Sequence, residues 1–200
     1  MSQQEFWNKK FSRDGFLYGT KVNQFIKDSY QSFNKSQKVL CLGEGEGRNA
    51  FFLAEHGYNV LALDASNIGL NKLSQWCKLK NLEVETKCID INEWIPNEKY
   101  GAILFTFMHL EIVELKKLLE KIEENLFDKG FLVVEVFSKK QINKNSGGPK
   151  DLNLLYGVDD FKENLKTLKI LKLEETVVQL EEGKGHNGEA SVIRLIAQKL

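Results

Sequence analysis

Short apolar runs alternate with amphipathic segments along most of the chain. The first run ends at Gly43 and the second at Asp64, as expected of buried strands that lead into turns. The predicted strands cover residues 38–42, 59–63, 84–89, 101–107 and 131–137. Between them apolar residues recur at helical spacing, most clearly at Leu115, Leu118, Leu119, Ile122 and Leu126. Because AILFTF and FLVVEVF are apolar almost throughout, we expect a parallel sheet covered by helices on both faces, a doubly wound α/β domain.

The end of the chain departs from this alternation. Residues 170–180 and 190–197 both have the pattern of strands, and only residues 181–189 separate them. A parallel crossover takes about a dozen residues or more, so this pair must be antiparallel. We therefore predict a Rossmann-like, seven-stranded and mostly parallel sheet with an antiparallel C-terminal hairpin, forming one domain over residues 1–200.

The charge balance and the apolar content exclude several classes of partner. The 28 basic residues equal the 28 acidic ones, so no net charge attracts nucleic acid or an anionic membrane. No run approaches the roughly 18 apolar residues of a membrane span, and the start MSQQEFWNKK lacks the apolar core of a secretory signal. We expect a cytoplasmic protein, a monomer or homodimer, with no nucleic-acid or membrane partner.

The cysteines indicate no metal site. The chain has three cysteines, Cys41, Cys77 and Cys88, and none of them belongs to a CxxC pair. This pattern fits neither a disulfide framework nor a zinc site. We expect three reduced thiols, packed in the interior, and no bound metal.

A glycine-rich loop follows the first predicted strand. Its sequence is Gly43-Glu44-Gly45-Glu46-Gly47, and a helix is predicted directly after it. Glycines allow close approach of a ligand to the backbone, and the helix start offers free N–H groups. Asp64 ends the next strand, where a carboxylate can accept both hydroxyls of a ribose. The two features predict a nucleotide-like cofactor; the alternative is a tight turn that binds nothing.

The form of the loop separates the candidate cofactors. Dinucleotide-binding proteins use G-x-G-x-x-G to receive a pyrophosphate at the helix start, whereas this loop is G-x-G-x-G. The negative charges of Glu44 and Glu46 would repel a pyrophosphate but tolerate the ammonium and sulfonium groups of S-adenosylmethionine.

These residues resemble the class I S-adenosylmethionine-dependent methyltransferases, whose sheet also ends in an antiparallel hairpin. The similar segments are VLCLGEGEGRNA and LDAS. Three shorter segments resemble a bacterial branch related to the tellurite-resistance and thiopurine methyltransferases, and together the similar segments cover nearly the whole chain: YGTKVN near the start, GGPKD after the fifth strand and EEGKGHNGEASVIR at the end. The resemblance implies methyl transfer from S-adenosylmethionine, with residues 1–36 as a helical cap over the cofactor.

The same resemblance implies a set of cofactor-binding residues. Asp64 would hold the ribose, and Ala65, Asp90 and Ile91 would lie at the adenine. The full set is Tyr18, Asn23, Gly43, Glu44, Gly45, Gly47, Asn49, Asp64, Ala65, Asp90, Ile91, Phe105 and Thr106. Many relatives have the sequence VLDLG at this strand, with an aspartate where this chain has Cys41. Binding of the cofactor's amino group would then fall to backbone carbonyls or to Glu44.

The acceptor is predicted to be a small molecule. The fourth strand ends in FTFMHL and not in the Asn/Asp-Pro-Pro-Tyr/Phe of methyltransferases that act on nucleic-acid amino groups. A thiol, selenium, tellurium or arsenic species is already nucleophilic, so a general base is optional. The candidate substrate-binding residues are Arg48, Phe107, His109, Lys150 and His186.

No catalytic residue is assigned with certainty, and the candidates are His109, His186 and Arg194. His186 is alternatively a solvated residue of the terminal loop, and Arg194 a structural salt bridge. Arg48 pairs with Glu46 or Glu44 or reaches the ligand, and Arg48, Arg194 and Lys150 together would suit an anionic substrate. Two other functions remain: a binding protein that keeps the cofactor but not catalysis, and a nicotinamide-dependent oxidoreductase.

Overall fold

A computed structural model describes all 200 residues of the chain. The helices are α1 (Gln3–Phe11), α2 (Gln24–Ser29), α3 (Arg48–Glu55), α4 (Asn67–Leu79), α5 (Ile112–Asn125) and α6 (Val158–Lys162). The strands are β1 (Val39–Leu42), β2 (Val60–Asp64), β3 (Glu85–Cys88), β4 (Tyr100–Thr106), β5 (Leu126–Phe137), β6 (Leu168–Glu182) and β7 (His186–Lys199). Each helix is too short or too polar to cross a membrane.

The seven strands form one sheet in the order β3-β2-β1-β4-β5-β7-β6. The first five of these are mutually parallel, and β7 runs antiparallel to both β5 and β6. The predicted fold class, with its C-terminal hairpin, is therefore confirmed. The strand order changes sides at β1, because β2 and β3 lie on one side of it and β4 and β5 on the other. In open α/β sheets, ligands bind at the carboxyl ends of the strands where the order changes in this way.

Side chains that alternate along the central strands fill two layers of core. In β1, Leu40 and Leu42 belong to the layer that α5 covers, and Val39 and Cys41 belong to the layer under α3 and α4. All four are at most 1% exposed. Burial on both faces is the reason that the predicted strands are continuous apolar runs.

The terminal hairpin is longer than the sequence pattern indicates. Pairing of β6 with β7 continues to Glu182 opposite His186, so most of the predicted loop 181–189 is strand. His186 is buried, which rules out the solvated turn residue considered above. Cys88 also differs from expectation, because it is exposed at the end of the edge strand β3, whereas Cys41 and Cys77 are buried as predicted.

The N-terminal segment lies across the carboxyl edge of the sheet and is hydrogen-bonded to loops there. Asn8 of α1 accepts hydrogen bonds from the Ser66 hydroxyl (2.7 Å) and the Ile68 amide (3.3 Å). Glu46 accepts from the Leu17 amide (2.6 Å) and from Lys72 (2.7 Å). Glu46 therefore turns away from the ligand side of the glycine loop and secures the segment that covers it.

Gly47 offers a stability test of the loop. Its φ is +91°, and a Cβ at this position would lie 2.4 Å from Cδ1 of Leu73. We expect Gly47→Ala to lower the free energy of unfolding by about 2–4 kcal/mol, from backbone strain and overpacking together. Gly57 is the control, since its φ is also positive (+79°) but nothing lies within 4 Å. In denaturant titrations Gly57→Ala is expected to lose only about 1–2 kcal/mol; equal losses would show that the contact with Leu73 contributes nothing.

Candidate functional site

A cavity of about 670 Å³ opens at the carboxyl ends of β1, β2 and β4, where the fold rule places a ligand. Its floor is the glycine loop after β1. Its roof is α1, which contributes Phe6, Trp7 and Lys10. One end reaches the loop after β3, and the other reaches the terminal hairpin and the segment that follows β5.

Glu44 directs one oxygen to the start of α3 and leaves the other free. Its Oε1 accepts from the amides of Asn49 (2.9 Å) and Ala50 (2.7 Å), the otherwise unpaired donors of a helix N-terminus. Both hydrogen bonds of the Glu44 carboxylate use Oε1, so Oε2 is available to a ligand. Burial raises the pKa of Glu44 to about 7, against the lowering effect of these amides. The cavity therefore contains a carboxylate suited to a cation.

Asp64 is the second carboxylate of the cavity. Its Oδ2 accepts from the Gly45 amide and its Oδ1 from the Ser66 amide, both at 2.7 Å. These bonds fix the carboxylate plane while each oxygen keeps a second lone pair. Burial raises the pKa of Asp64 to about 6, although both amides lower it. The arrangement suits a ligand that donates two neighbouring hydroxyl groups.

The cavity ends beyond Asp64 in a pocket between Ala65 and the loop after β3. Ile89, Asp90 and Ile91 form its far wall. Asp90 accepts a hydrogen bond from the Asn92 amide (3.0 Å), which starts a short 3-10 turn. The walls combine apolar side chains with one carboxylate, as a planar heterocycle requires.

Glu182 joins the glycine-loop helix to the terminal hairpin. Arg48 Nη2 donates to Glu182 Oε2 (2.8 Å), and Nη1 lies 2.7 Å from Oε1. His186 Nδ1 lies 3.0 Å from Oε2. Burial raises the pKa of Glu182, but the bond from His186 and the charge of Arg48 outweigh it and lower that pKa to about 2. The predicted partner of Arg48, Glu44 or Glu46, is thus wrong, because a carboxylate from β6 takes that place.

A second ion pair, between the buried Glu135 and the partly buried Arg194, continues the network. Arg194 Nε donates to Glu135 Oε2 (2.5 Å), and Asn23 Nδ2 donates both to Glu135 (2.6 Å) and to Glu182 (3.2 Å). Two arginines therefore face two glutamates, and the charges cancel. Arg194 is a structural ion pair, the alternative considered from the sequence.

Aromatic rings form the end of the cavity nearest the hairpin. His186 packs against Tyr18 (ring centroids 4.4 Å apart), Phe107 (4.5 Å) and Phe137 (5.2 Å). Phe107 has φ +53°, a strained value for a residue with a bulky side chain. Strain of this kind concentrates at ligand sites. Burial lowers the pKa of His186, so the ring is neutral at neutral pH and donates its Nδ1 hydrogen to Glu182.

Most of the predicted site residues lie in the cavity wall. They are Tyr18, Gly43, Glu44, Gly45, Arg48, Asn49, Asp64, Ala65, Asp90, Ile91, Thr106, Phe107, His109 and His186. Sequence reasoning missed Glu182, Phe137, Met108 and Leu154. Glu182 had no distinguishing signal, because it stands beside another glutamate in an apparent loop.

Five predicted residues lie outside the wall: Asn23, Gly47, Phe105, Lys150 and Arg194. Asn23 and Arg194 belong to the ion-pair network, and Gly47 is the N-cap residue that precedes α3. Phe105 points into the core, 1% exposed. Lys150 is exposed and donates to the Lys144 carbonyl. The anion site proposed from Arg48, Arg194 and Lys150 is therefore not assembled.

Comparison with known proteins places the chain in a family. Residues 2–197 match the model of the family described as tellurite resistance protein TehB. A probable S-adenosyl-L-methionine-dependent methyltransferase TehB from Haemophilus influenzae (strain 10810) is 24% identical over 181 residues, which are 89% of this chain and 59% of that protein. The chain thus spans about three fifths of the length of this curated relative.

Solved structures show the same fold. The crystal structure of TehB from Haemophilus influenzae has a TM-score of 0.75 at 22% identity and covers 100% of this chain and 68% of that one. The N-methyltransferase NodS from Bradyrhizobium japonicum WM9, in complex with S-adenosyl-L-homocysteine, has a TM-score of 0.71 at 13% identity, covering 100% and 99%. The resemblance inferred from the glycine loop and the shorter motifs is confirmed: the match over residues 2–197 shows that this chain belongs to the TehB family, with the class I methyltransferase fold.

Proposed function

We propose that the protein is an S-adenosylmethionine-dependent methyltransferase whose acceptor is a small, soft nucleophile of the thiol or selenol type. The observation that carries the proposal is that Glu44 of the glycine loop and Asp64, which binds the loop's Gly45 amide, bring two carboxylates with free lone pairs into one cavity. An S-adenosyl group combines an ammonium with a ribose diol, and these are the groups that the two carboxylates suit.

The cavity residues fit this cofactor. Glu44 Oε2 would accept hydrogen bonds from the ammonium. It would thereby replace the acid that relatives carry at the position of Cys41. Asp64 would receive the ribose hydroxyls, and the pocket of Ala65, Ile89 and Ile91 would hold the adenine. When bound, the cofactor supplies an electrophilic methyl group on a sulfonium.

The acceptor end is lined by aromatic side chains that suit a soft, polarizable ligand. Phe107 and Phe137 line this end together with His109 and His186, and burial lowers the pKa of both histidines, so their imidazoles are neutral. Arg48 is neutralised by Glu182 at 2.7 Å. Lys10 of α1 also lines the cavity, and its charge helps to lower the pKa of His186.

The chain contributes positioning and exclusion of water. Phe107, held by a hydrogen bond from its amide to the Glu135 carbonyl (2.8 Å), fixes the wall against which the acceptor would lie. Trp7 and Phe11 of α1 cover the glycine loop, with rings stacked at 5.5 Å. Holding two reactants in near-attack geometry supplies much of the rate of a displacement reaction.

A panel of acceptors tests this function. Purified protein with S-adenosylmethionine should release S-adenosylhomocysteine when a thiol or selenol is added, and should show no more than background release without an acceptor. Binding of S-adenosylhomocysteine without turnover across thiols, selenols, amines and phenols would favour the silent binding protein and contradict the enzyme.

The nicotinamide alternative conflicts with the loop geometry. In dinucleotide-binding folds a pyrophosphate occupies the N–H groups at the helix start. Here the Glu44 carboxylate already binds the amides of Asn49 and Ala50. A pyrophosphate would displace this carboxylate or lie against it, so we expect NADH to give no fluorescence change with the protein.

We expect the affinity for S-adenosylhomocysteine to fall as the pH decreases from about 8 to about 5. Burial raises the pKa of Glu44 to about 7 and that of Asp64 to about 6, so each carboxyl gains a proton within this range. A carboxylate accepts stronger hydrogen bonds than the protonated acid, and ligand binding would therefore release protons. Calorimetry at neutral pH in two buffers of different ionisation enthalpy measures that release. An affinity that is constant across the range would contradict the assigned roles.

A further inference from the structure

Lys10 is an unpaired cation in the wall of the cavity. Three lysine or arginine side chains line this cavity, namely Lys10, Arg13 and Arg48. Arg48 is paired with Glu182 at 2.7 Å. Burial and the charge of Arg13 both lower the pKa of Lys10, and no acid opposes them. The half-buried ammonium of Lys10 therefore lacks a counter-charge, and an anion inside the cavity would be attracted to it.

Aromatic rings of α1 hold the Lys10 ammonium at the roof of the cavity. Its Nζ lies 4.6 Å from the ring centroid of Phe6 and 4.8 Å from that of Trp7. Contacts of this kind place an ammonium without neutralising its charge. The neighbouring Lys9 is exposed and lies outside the cavity wall. The two lysines thus differ in their surroundings although they are consecutive in the chain.

The charge of Lys10 acts on the acceptor end of the cavity. It helps to lower the pKa of His186, which lines that end. Neither Glu44 nor Asp64 contributes to the pKa of Lys10. Because charges interact more strongly the closer they lie, Lys10 is placed toward the acceptor and away from the two carboxylates that suit the cofactor.

The rest of the acceptor end suits a large, polarizable anion. Phe107 and Phe137 pack with ring centroids 4.6 Å apart, and both line the cavity. The acidic side chains of the wall, Glu44, Asp64 and Asp90, all belong to the cofactor end. Sulfur packs favourably against aromatic rings. A sulfur or selenium anion also loses less hydration free energy on burial than a smaller anion does, since the cost decreases as the ion becomes larger.

We propose that Lys10 binds the acceptor as a thiolate or selenolate and thereby selects anionic sulfur and selenium nucleophiles. The proposal rests on the function proposed above. It adds the ionisation state of the acceptor and the residue that stabilises it. The helix that covers the cofactor would then also recognise the acceptor.

The step balances in atoms and charge. The thiol loses its proton to solvent on binding, because a neighbouring ammonium favours the anion. A lone pair of the thiolate sulfur forms the new bond to the methyl carbon, and the bond from that carbon to the sulfonium sulfur breaks with its electrons left on S-adenosylhomocysteine. A thiolate and a sulfonium become two uncharged thioethers, so the transfer itself needs no general base.

Binding of a soft anion tests the site without turnover. The probe is thiocyanate, added to the protein bound to S-adenosylhomocysteine, and its affinity is measured from amide NMR shifts. Lys10→Gln removes the charge at similar length and should weaken thiocyanate binding by about tenfold or more. Lys10→Arg keeps the charge and should bind it more tightly than Lys10→Gln does. Lys9→Gln is the matched control and should bind thiocyanate as the unmodified protein does.

Two thiols of similar size separate a thiolate acceptor from a neutral one. 2,2,2-Trifluoroethanethiol is far more acidic than ethanethiol, so a larger fraction of it is thiolate at neutral pH. Nucleophilicity falls only in part with the pKa, and kcat/KM of the unmodified protein should be at least about tenfold higher for the trifluoro compound. Lys10→Gln should lower kcat/KM for both thiols by about 10- to 100-fold, while its dissociation constant for S-adenosylhomocysteine stays within about twofold.

Three results would overturn the proposal and leave the function intact. Thiocyanate that does not bind the unmodified protein, or that binds Lys10→Gln equally well, removes the anion site. A kcat/KM for ethanethiol equal to or above that for its trifluoro analogue makes the neutral thiol the nucleophile. Weaker binding of S-adenosylhomocysteine by Lys10→Gln assigns the lysine to the cofactor. Failure of the unmodified protein to methylate any acceptor removes the proposed function, and this proposal with it.

Discussion

Replacement of Glu182 by alanine is expected to lower the free energy of unfolding by about 3–5 kcal/mol, the range for breaking a buried ion pair. Glu182 is 8% exposed, and it binds Arg48 at 2.7 Å and His186 at 3.0 Å. Its loss leaves the Arg48 guanidinium buried without a counter-charge and Asn23 with one acceptor fewer. Denaturant unfolding followed by circular dichroism measures the change.

Glu175→Ala is the matched control on the same strand. Glu175 pairs with Lys140, whose side chain is 74% exposed, so this ion pair is well solvated. Surface pairs contribute about 1 kcal/mol or less. Equal losses of unfolding free energy in the two variants would show that the Glu182 network stabilises the fold no more than a surface ion pair does.

Asp64→Ala is expected to weaken the binding of S-adenosylhomocysteine by about 10- to 150-fold, equivalent to the 1.5–3 kcal/mol of charge-assisted hydrogen bonds. The substitution removes the acceptor proposed for the ribose hydroxyls. It also releases the amides of Gly45 and Ser66, which the carboxylate holds at 2.7 Å, so the loop loses part of its preorganisation. Isothermal titration calorimetry measures the affinity directly.

The exposed residue Asp151 provides a comparison for this substitution. Its carboxylate accepts from the Asn153 amide at the start of a 3-10 turn, and it lies outside the cavity wall. Asp151→Ala should bind S-adenosylhomocysteine as the unmodified protein does. An affinity of Asp64→Ala equal to that of Asp151→Ala would remove Asp64 from the ligand site.

The features that the sequence predicted are those with a local physical cause. Continuous apolar runs arise because β1 and β4 are buried on both faces, and a nine-residue connection cannot hold a parallel crossover. The glycine loop and Asp64 were recognisable since each stands directly after a predicted strand. Such positions meet at one edge of the sheet whatever the details of packing.

The features that escaped prediction depend on contacts between distant parts of the chain. Arg48 and Glu182 are 134 positions apart, and Asn23 and Glu135 are 112 apart. No periodicity distinguishes Glu182 from its neighbour Glu181, which is exposed. Lys150 follows Gly147, Gly148 and Pro149, which line the cavity, yet its own side chain lies outside the cavity wall. Side-chain direction in an irregular segment follows from tertiary packing.

Calorimetric titration of the unmodified protein with S-adenosylhomocysteine tests the central claim most directly. The geometry of Glu44 and Asp64 predicts one binding site per chain, with a dissociation constant in the micromolar range or below, and an affinity that decreases in acid. Absence of heat at about millimolar ligand, in a protein with a cooperative melting transition, would contradict the assignment of this cavity to an S-adenosyl cofactor.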